Sequence, residues 1–294
     1  MPPAFTHFAA IDWSGAAGER HAGISLAVCA AEGGPPALIA PPGGARYWSR
    51  AEILAWIINA AAPVTLIGFD MGISLAFADA GGFLPGWAES PATARELWAL
   101  VEAICVHDPH LGVSSFVDHP EASRHFRRHG ARVGDLFQPG LGRFRVTEHA
   151  QARAGCRPTS NYNLVGASQV GKGSLAGMRL LHRLPPKIAI WPIDPLPISP
   201  GIVVVEIYTT IAAIAAGRAA SRSKIRSRAD LNAALIAIDS PPLAISPASI
   251  TDHAADALVT AAWLRAHARR PELWAPLELT PAIARTEGWT FGVV

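Results

Sequence analysis

The chain has 294 residues, 50% hydrophobic and 16% charged, with 25 Lys and Arg against 23 Asp and Glu. That apolar fraction supports a buried core and excludes a largely disordered chain, and a net charge of +2 provides no global field of the kind that announces a nucleic-acid or membrane binder. Cys29, Cys105 and Cys156 form no CxxC pair, which argues against a disulfide scaffold and a structural zinc ribbon.

In chain order, Phe5–Asp12 is a short apolar run ending in a carboxylate. His21–Ala30 is a second run and Pro36–Ala40 a weak third, with connections short enough for an antiparallel meander. Ser49–Ala62 changes period. Ile53, Leu54, Trp56, Ile57 and Ile58 fit a buried helix, Ser49 a capping residue and Glu52 the other half of a capping box. Pro63 stops it, and Val64–Asp70 is another apolar strand that ends in Asp. From about residue 76 to 165 the chain mixes Gly, Pro, His and Arg with amphipathic pieces, Ala92–Ile104 and Pro120–His129 among them. Between His119 and Arg157 eight Arg face three acids. This segment is expected to be an inserted, Arg-rich helical lid on a single domain spanning residues 1–294. Asn161–Gly173 reads as a glycine-containing loop, Ser174–Leu184 as a helix, Lys187–Gly201 as proline-rich connection and Ile202–Tyr208 as a strand. Ile211–Arg218, Arg228–Ile238 and Thr251–His267 read as helices, and the remaining tail as irregular.

The longest apolar stretches, Ile53–Phe69 and Ile202–Gly217, are interrupted by Asn59 and Pro63 and by Glu206. Neither suits a membrane span of ~20 residues, and the N-terminus lacks the pattern of a secretory leader. A cytoplasmic protein without a membrane partner is expected. Strands joined first by short turns and then by helices imply a mixed α/β sheet.

Four apolar elements carry one acid each: Asp12 in AAIDWSG, Asp70 in IGFDMG, Glu206 in VVVEIYTT and Asp256 in DHAADALVTAAW. An ionised carboxylate in an apolar element is costly unless paired or bound to metal. At about 100° per residue, Asp252, His253 and Asp256 share a helix face with Val259, Thr260 and Trp263, a stripe that should pack on the sheet. One or two divalent ions would give these acids a common purpose. Hard oxygen ligands favour Mg²⁺ or Mn²⁺ over zinc, and such ions serve phosphoryl transfer. Each acid also has a plainer reading. Asp12 and Asp70 could end their strands as turn caps, Glu206 could pair with a buried Arg, Asp252 could be the acid of a capping box with Ser249, and Asp256 could lie on a solvated face.

Gly166–Lys172 matches GxxxxGK, but Gly173 follows where a phosphate loop has Ser or Thr. A loop whose amides and Lys172 touch a phosphate is the better reading. His125 and His129, amid Arg124, Arg127, Arg128 and Arg132, suggest a basic helix edge able to track a backbone. Arg218, Arg222, Lys224, Arg226 and Arg228 form a second basic run, read as a solvated loop. No GxSxG and no base partner for a cysteine support covalent hydrolysis.

The IDWSG start, the Asp-terminated strand, VVEIY and HAADALVTAA together resemble the ribonuclease H-like fold. More narrowly, they resemble an uncharacterised bacterial and archaeal family described as predicted nucleases of that fold. Phe144–Glu148, Gly166–Met178, Trp191-Pro192 and Glu287-Gly288-Trp289 resemble further stretches of that family, so the likeness runs from Phe8 to Gly292. HAADAL is also similar to the closing-helix motif of RuvC-type resolvases, where an Asp corresponds to Asp256 and an Asp or His to His253. The resemblance implies a five-stranded sheet of order 3-2-1-4-5 with flanking helices. It places the Asp12 and Asp70 strands side by side and the Glu206 strand beyond Asp70. It implies metal-ion hydrolysis of a nucleic-acid phosphodiester. From their placement on separate apolar elements, Asp12, Glu206 and Asp256 are expected to converge on one site and hold the metal, with Asp252 or His253 at its edge and Asp70 close by, and Asp12, Asp70, Glu206 and Asp256 to be the catalytic acids. Arg145, Gln169 and Lys172 are expected to line the same cleft as the acids and to contact the substrate. One departure is that Asp70 ends its strand before Met71-Gly72, which leaves it a second reading as a partner of that loop. Two other readings stay open: a nucleic-acid or protein binder of the same fold without turnover, and an ATP-using enzyme of the actin-like superfamily. The latter needs a second glycine-rich phosphate loop, which Ile207–Thr210 does not supply.

Overall fold

His7–Asp12 (β1) is buried from Phe8 onward, as a strand covered on both faces must be. The computed structural model describes residues 2–166, 170–219, 224–244 and 250–294. The further strands are β2 (Arg20–His21), β3 (Ser25–Ala30), β4 (Gly33–Leu38), β5 (Trp48–Ser49), β6 (Thr65–Asp70), β7 (Arg127–Arg128), β8 (Arg132–Val133), β9 (Ala189–Trp191) and β10 (Val203–Glu206). Six of them form one mixed sheet in the order β4-β3-β1-β6-β10-β9. The β1-β3-β4 arm is antiparallel, while β1, β6, β10 and β9 run parallel. Pro35 and Pro36 lie in β4, at the sheet edge, where a missing N–H costs no ladder bond.

The α/β class and mixed sheet agree with the sequence reading; the strand count and order do not. The five-stranded order 3-2-1-4-5 gives way to six strands, because Ala189–Trp191 pairs in parallel with Val203–Val205 and takes the edge position beyond it. Three residues among prolines show no period, so sequence patterning could not distinguish them from a loop.

The helices are α1 (Arg50–Asn59), α2 (Ala94–Ile104), α3 (Ser114–Val117), α4 (Val146–Arg153), α5 (Val170–His182), α6 (Thr209–Ala215), α7 (Arg228–Ala237), α8 (Asp252–His267) and α9 (Pro281–Thr286). The capping box at α1 forms as its sequence predicts: Ser49 Oγ accepts from Glu52 N at 3.1 Å, and the Glu52 carboxylate accepts from Ser49 N at 2.8 Å. One sheet face, with Ala9, Ile11, Ile67, Phe69 and Val204, is covered by α1, α2 and α5. Phe83, Phe116, Phe126 and Tyr162 of the 76–165 segment continue that same core. The other face, with Phe8, Ala10, Leu66, Val203 and Val205, is covered by α6, α7, α8 and the C-terminal Trp289 and Phe291. Gly68 lets α8 come close, since a Cβ there would sit 2.8 Å from Ile207 Cγ2 and 3.0 Å from Leu264 Cδ1. Pro120–His129 is not one helix but a 3₁₀ turn at Ala122–His125 followed by β7. His125 and His129 therefore share no helix face, and His125 is buried. All three cysteines are free and buried. Among the described residues no helix is long and apolar enough to cross a membrane.

Candidate active site

Asp12 and Asp70 close adjacent parallel strands and are register partners. Both side chains therefore leave the same sheet face, because alternate residues of a strand share one face. That face is the one α8 covers. Thr251 caps α8, its Oγ1 accepting from Ala254 N at 3.1 Å, which sets Asp252 and His253 in the first turn and Asp256 one turn on. His253 Nδ1 lies 3.2 Å from Asp12 Oδ2. Asp12, Asp70, Asp256 and His253 all open into one cleft of about 700 Å³. It lies outside the carboxyl ends of β1 and β6, where the chain leaves one side of the sheet for the other, the usual ligand position in open α/β sheets.

Charge in this cleft is poorly compensated. Burial raises the Asp12 carboxyl, with the His253 contact opposing it. Burial and then the charge of Asp12 push Asp70 well up, with Asp256 adding to it. Asp256 is pushed to about 7 by burial and then by Asp12. The His253 imidazole is raised by its bond to Asp12, against burial. Near neutral pH the cluster thus holds protons that solvent-exposed carboxylates would have lost. Asp70 accepts from Thr209 Oγ1 at 3.2 Å and Thr209 N at 3.4 Å, at the start of α6. It does not hold the loop that follows it: Gly72 N donates to Ser174 Oγ and Ile73 N to Glu206.

Glu206 is register-paired with Phe69, one residue short of Asp70, and so projects from the opposite face. There its carboxylate is fully engaged. Oε1 accepts from Arg145 Nη2 at 2.6 Å and Thr290 Oγ1 at 2.5 Å, and Oε2 accepts from Arg145 Nη1 at 2.8 Å and Ile73 N at 2.9 Å. Four bonds use the acceptor capacity of a carboxylate. The buried-Arg reading of Glu206 is the one the geometry displays.

Arg145 is equally committed. Its Nε and Nη2 donate to Glu148 Oε1, its two Nη atoms donate to Glu206, and Nη1 also donates to the Glu287 carbonyl. The five N–H groups of a guanidinium are all spent, and the side chain is 2% exposed. It borders the cleft without a donor left for a phosphate. Lys172 lines a separate cleft that shares only Gly15 and Ala16 with the first. Gln169 lies outside the described residues, as do Arg222 and Ser249.

Asp252 is drawn away from the cluster into ion pairs with Arg226 at 2.9 Å and Lys224 at 3.1 Å. The Arg226 contact leads in holding its carboxyl down to about 2. The second basic run is thus partly a partner of α8 and not only a solvated loop. Thr209 went unnoticed at the level of sequence; its signal was a pair of threonines directly after an acidic strand, at a helix start.

The donor set is right in kind for a hard cation, all oxygen with one imidazole. Its arrangement is open: among the described residues no three His, Cys, Asp or Glu side chains are close enough together to hold a metal ion. No family model, curated protein or solved structure matches the chain.

Proposed function

We propose that the chain hydrolyses phosphodiester bonds of nucleic acid at the Asp12, Asp70 and Asp256 cluster, with Mg²⁺ or Mn²⁺ as cofactor. The observation that carries this reading is the gathering of three acids from β1, β6 and α8 in one cleft, with the Asp70 and Asp256 carboxyls raised by burial and then by the charge of Asp12. Asp12, Asp70 and Asp256 would hold the ion, with His253 at its edge. When bound, such an ion activates water and stabilises the leaving oxygen. In its imidazolium form His253, whose Nδ1 contacts Asp12 Oδ2, would present Nε2–H as a proton donor towards a leaving group. The β4-β3-β1-β6 part of the sheet follows the order implied by the ribonuclease H-like resemblance, and the difference is confined to the Ala189–Trp191 edge.

A specific observation favours a second reading, a nucleic-acid binder of this fold without turnover. Glu206, the third strand acid that the nuclease resemblance assigns to metal, has its acceptor capacity used by Arg145, Thr290 and Ile73. The two readings separate in one experiment. Single-stranded, duplex, hybrid and branched substrates are incubated with Mg²⁺, Mn²⁺ or chelator, using wild type and Asp12→Asn. The nuclease reading expects cleavage that needs metal and disappears in Asp12→Asn. Absence of cleavage on every substrate leaves the binder ahead.

A further inference from the structure

The carboxylate cleft has a neighbour of opposite charge. A cleft of about 300 Å³ adjoins it across Gly15 and Ala16 and is lined by Arg50, Arg128, Arg132 and Lys172, with Asp108 and Asp118 as its acids. Asp108 is occupied by Ser115, which donates from N at 2.8 Å and from Oγ at 2.6 Å. Asp118 Oδ1 is shared by two guanidiniums, Arg128 at 2.7 Å and Arg132 at 3.0 Å. One carboxylate cannot neutralise both, and Arg128 Nε is buried with no partner among the described residues.

Among the described residues neither Arg50 nor Lys172 pairs with a carboxylate. Arg50 is 3% exposed and donates only to carbonyls: Ser14 at 2.9 Å, Ala16 at 2.7 Å and His110 at 3.0 Å. It ties down the wall between the two clefts while bringing a full positive charge to it, and burial with Arg179 nearby lowers its pKa to about 10. Among the described residues Lys172 has no carboxylate within ion-pair distance. A basic recess that abuts an acidic one across two small residues suits an extended polyanion. A compact anion would need only one of the two.

We propose that this second cleft binds a backbone phosphate of a polynucleotide strand, next to the phosphodiester that faces Asp12. The identity of that neighbour rests on the nuclease reading; the phosphate site does not. Guanidiniums offer a planar fork and Lys172 a point charge to such a group.

The test uses the full chain in chelator, so that no cation is needed. A labelled single-stranded oligonucleotide is titrated across a salt series and followed by fluorescence anisotropy. The double variant Lys172→Ala with Arg132→Ala should bind about tenfold more weakly and show a salt slope smaller by about 1, since each neutralised phosphate of a single strand contributes about 0.7. The charge-preserving pair Lys172→Arg with Arg132→Lys should bind more tightly than the double Ala variant, and a thermal melt of the double Ala variant that matches wild type excludes misfolding as the cause. Unchanged affinity and slope in the double Ala variant overturn the proposal, as does a wild type that binds no oligonucleotide. Displacement of the oligonucleotide by micromolar inorganic phosphate or mononucleotide also overturns it, in favour of a small-anion site. Cleavage that depends on Asp12 beside unchanged binding in the double Ala variant sinks this cleft but not the nuclease reading. Weakened binding beside no cleavage does the reverse.

Discussion

Two groups of buried acids lie within one cleft wall and are treated in opposite ways. Around Glu206 and Glu148, one guanidinium and three hydroxyl or amide donors, Thr290 Oγ1, Ile73 N and Arg145 N, satisfy every oxygen. Among the described residues the donors to Asp12, Asp70 and Asp256 are His253 and Thr209 alone, and the Asp256 carboxyl has no hydrogen-bond partner there. The first arrangement clamps the Ile73 loop, α4 and the tail to the strand end. The second leaves oxygens facing a cleft at an energetic cost that structure alone does not repay. A buried ion pair is rigid and saturated, whereas a bare carboxylate cluster is a place for something to bind.

Breaking the saturated group should have the largest effect. Glu206→Gln leaves Arg145 buried beside a single carboxylate and turns an amide donor towards groups that are themselves donors. We expect a loss of about 3–5 kcal/mol in chemical denaturation, with or without Mg²⁺. If Glu206→Gln costs no more than Asp12→Asn, the contrast between the groups is unsound.

Asp12→Asn should act the other way. Removing a charge from a repelling cluster should hold or raise the stability of the metal-free protein, by at most about 1 kcal/mol, while abolishing cleavage. A large fall in its melting temperature would mark Asp12 as structural and return it to the same class as Glu206.

The pH dependence follows from the directions of the shifts. Asp12, Asp70 and Asp256 are raised, so folding takes up protons and the associated stability is present below the unfolded carboxyl pKa of about 4. It is lost as pH rises through the folded values, about 7 for Asp256. His253, also raised, acts in the same sense at the upper end of that window. Melts of the metal-free protein should therefore show stability falling between about pH 4 and 7, by roughly 1 kcal/mol from Asp256 once solvent screening is allowed for. Asp256→Asn should flatten that part of the profile. A wild-type profile that rises across the window contradicts the assignment.

The smallest effect sharpens the comparison most. Mg²⁺ at a concentration equal to its dissociation constant should stabilise wild type by about 0.4 kcal/mol through mass action and leave Asp12→Asn unmoved. Equal stabilisation of both variants would place the cation elsewhere.

Much of this was legible in residues alone, because it is local. The capping box at Ser49 and Glu52, the apolar strands that carry Asp12, Asp70 and Glu206, and the acidic face of the last long helix all follow from periodicity and short-range chemistry. What tertiary structure decided is which acids meet. Side chains alternate along a strand, so a register offset of one residue sends a carboxylate to the other face. Asp12 pairs with Asp70 and the two share a face; Glu206 pairs with Phe69 and is sent to Arg145. No property of VVVEIYTT determines that offset. Nor does the tail reveal that Glu287 will accept from Phe77, Ala78 and Val146, since those donors lie more than a hundred residues away. Strand parity and long-range donors belong to the folded chain, and they separate the bare acids from the satisfied ones.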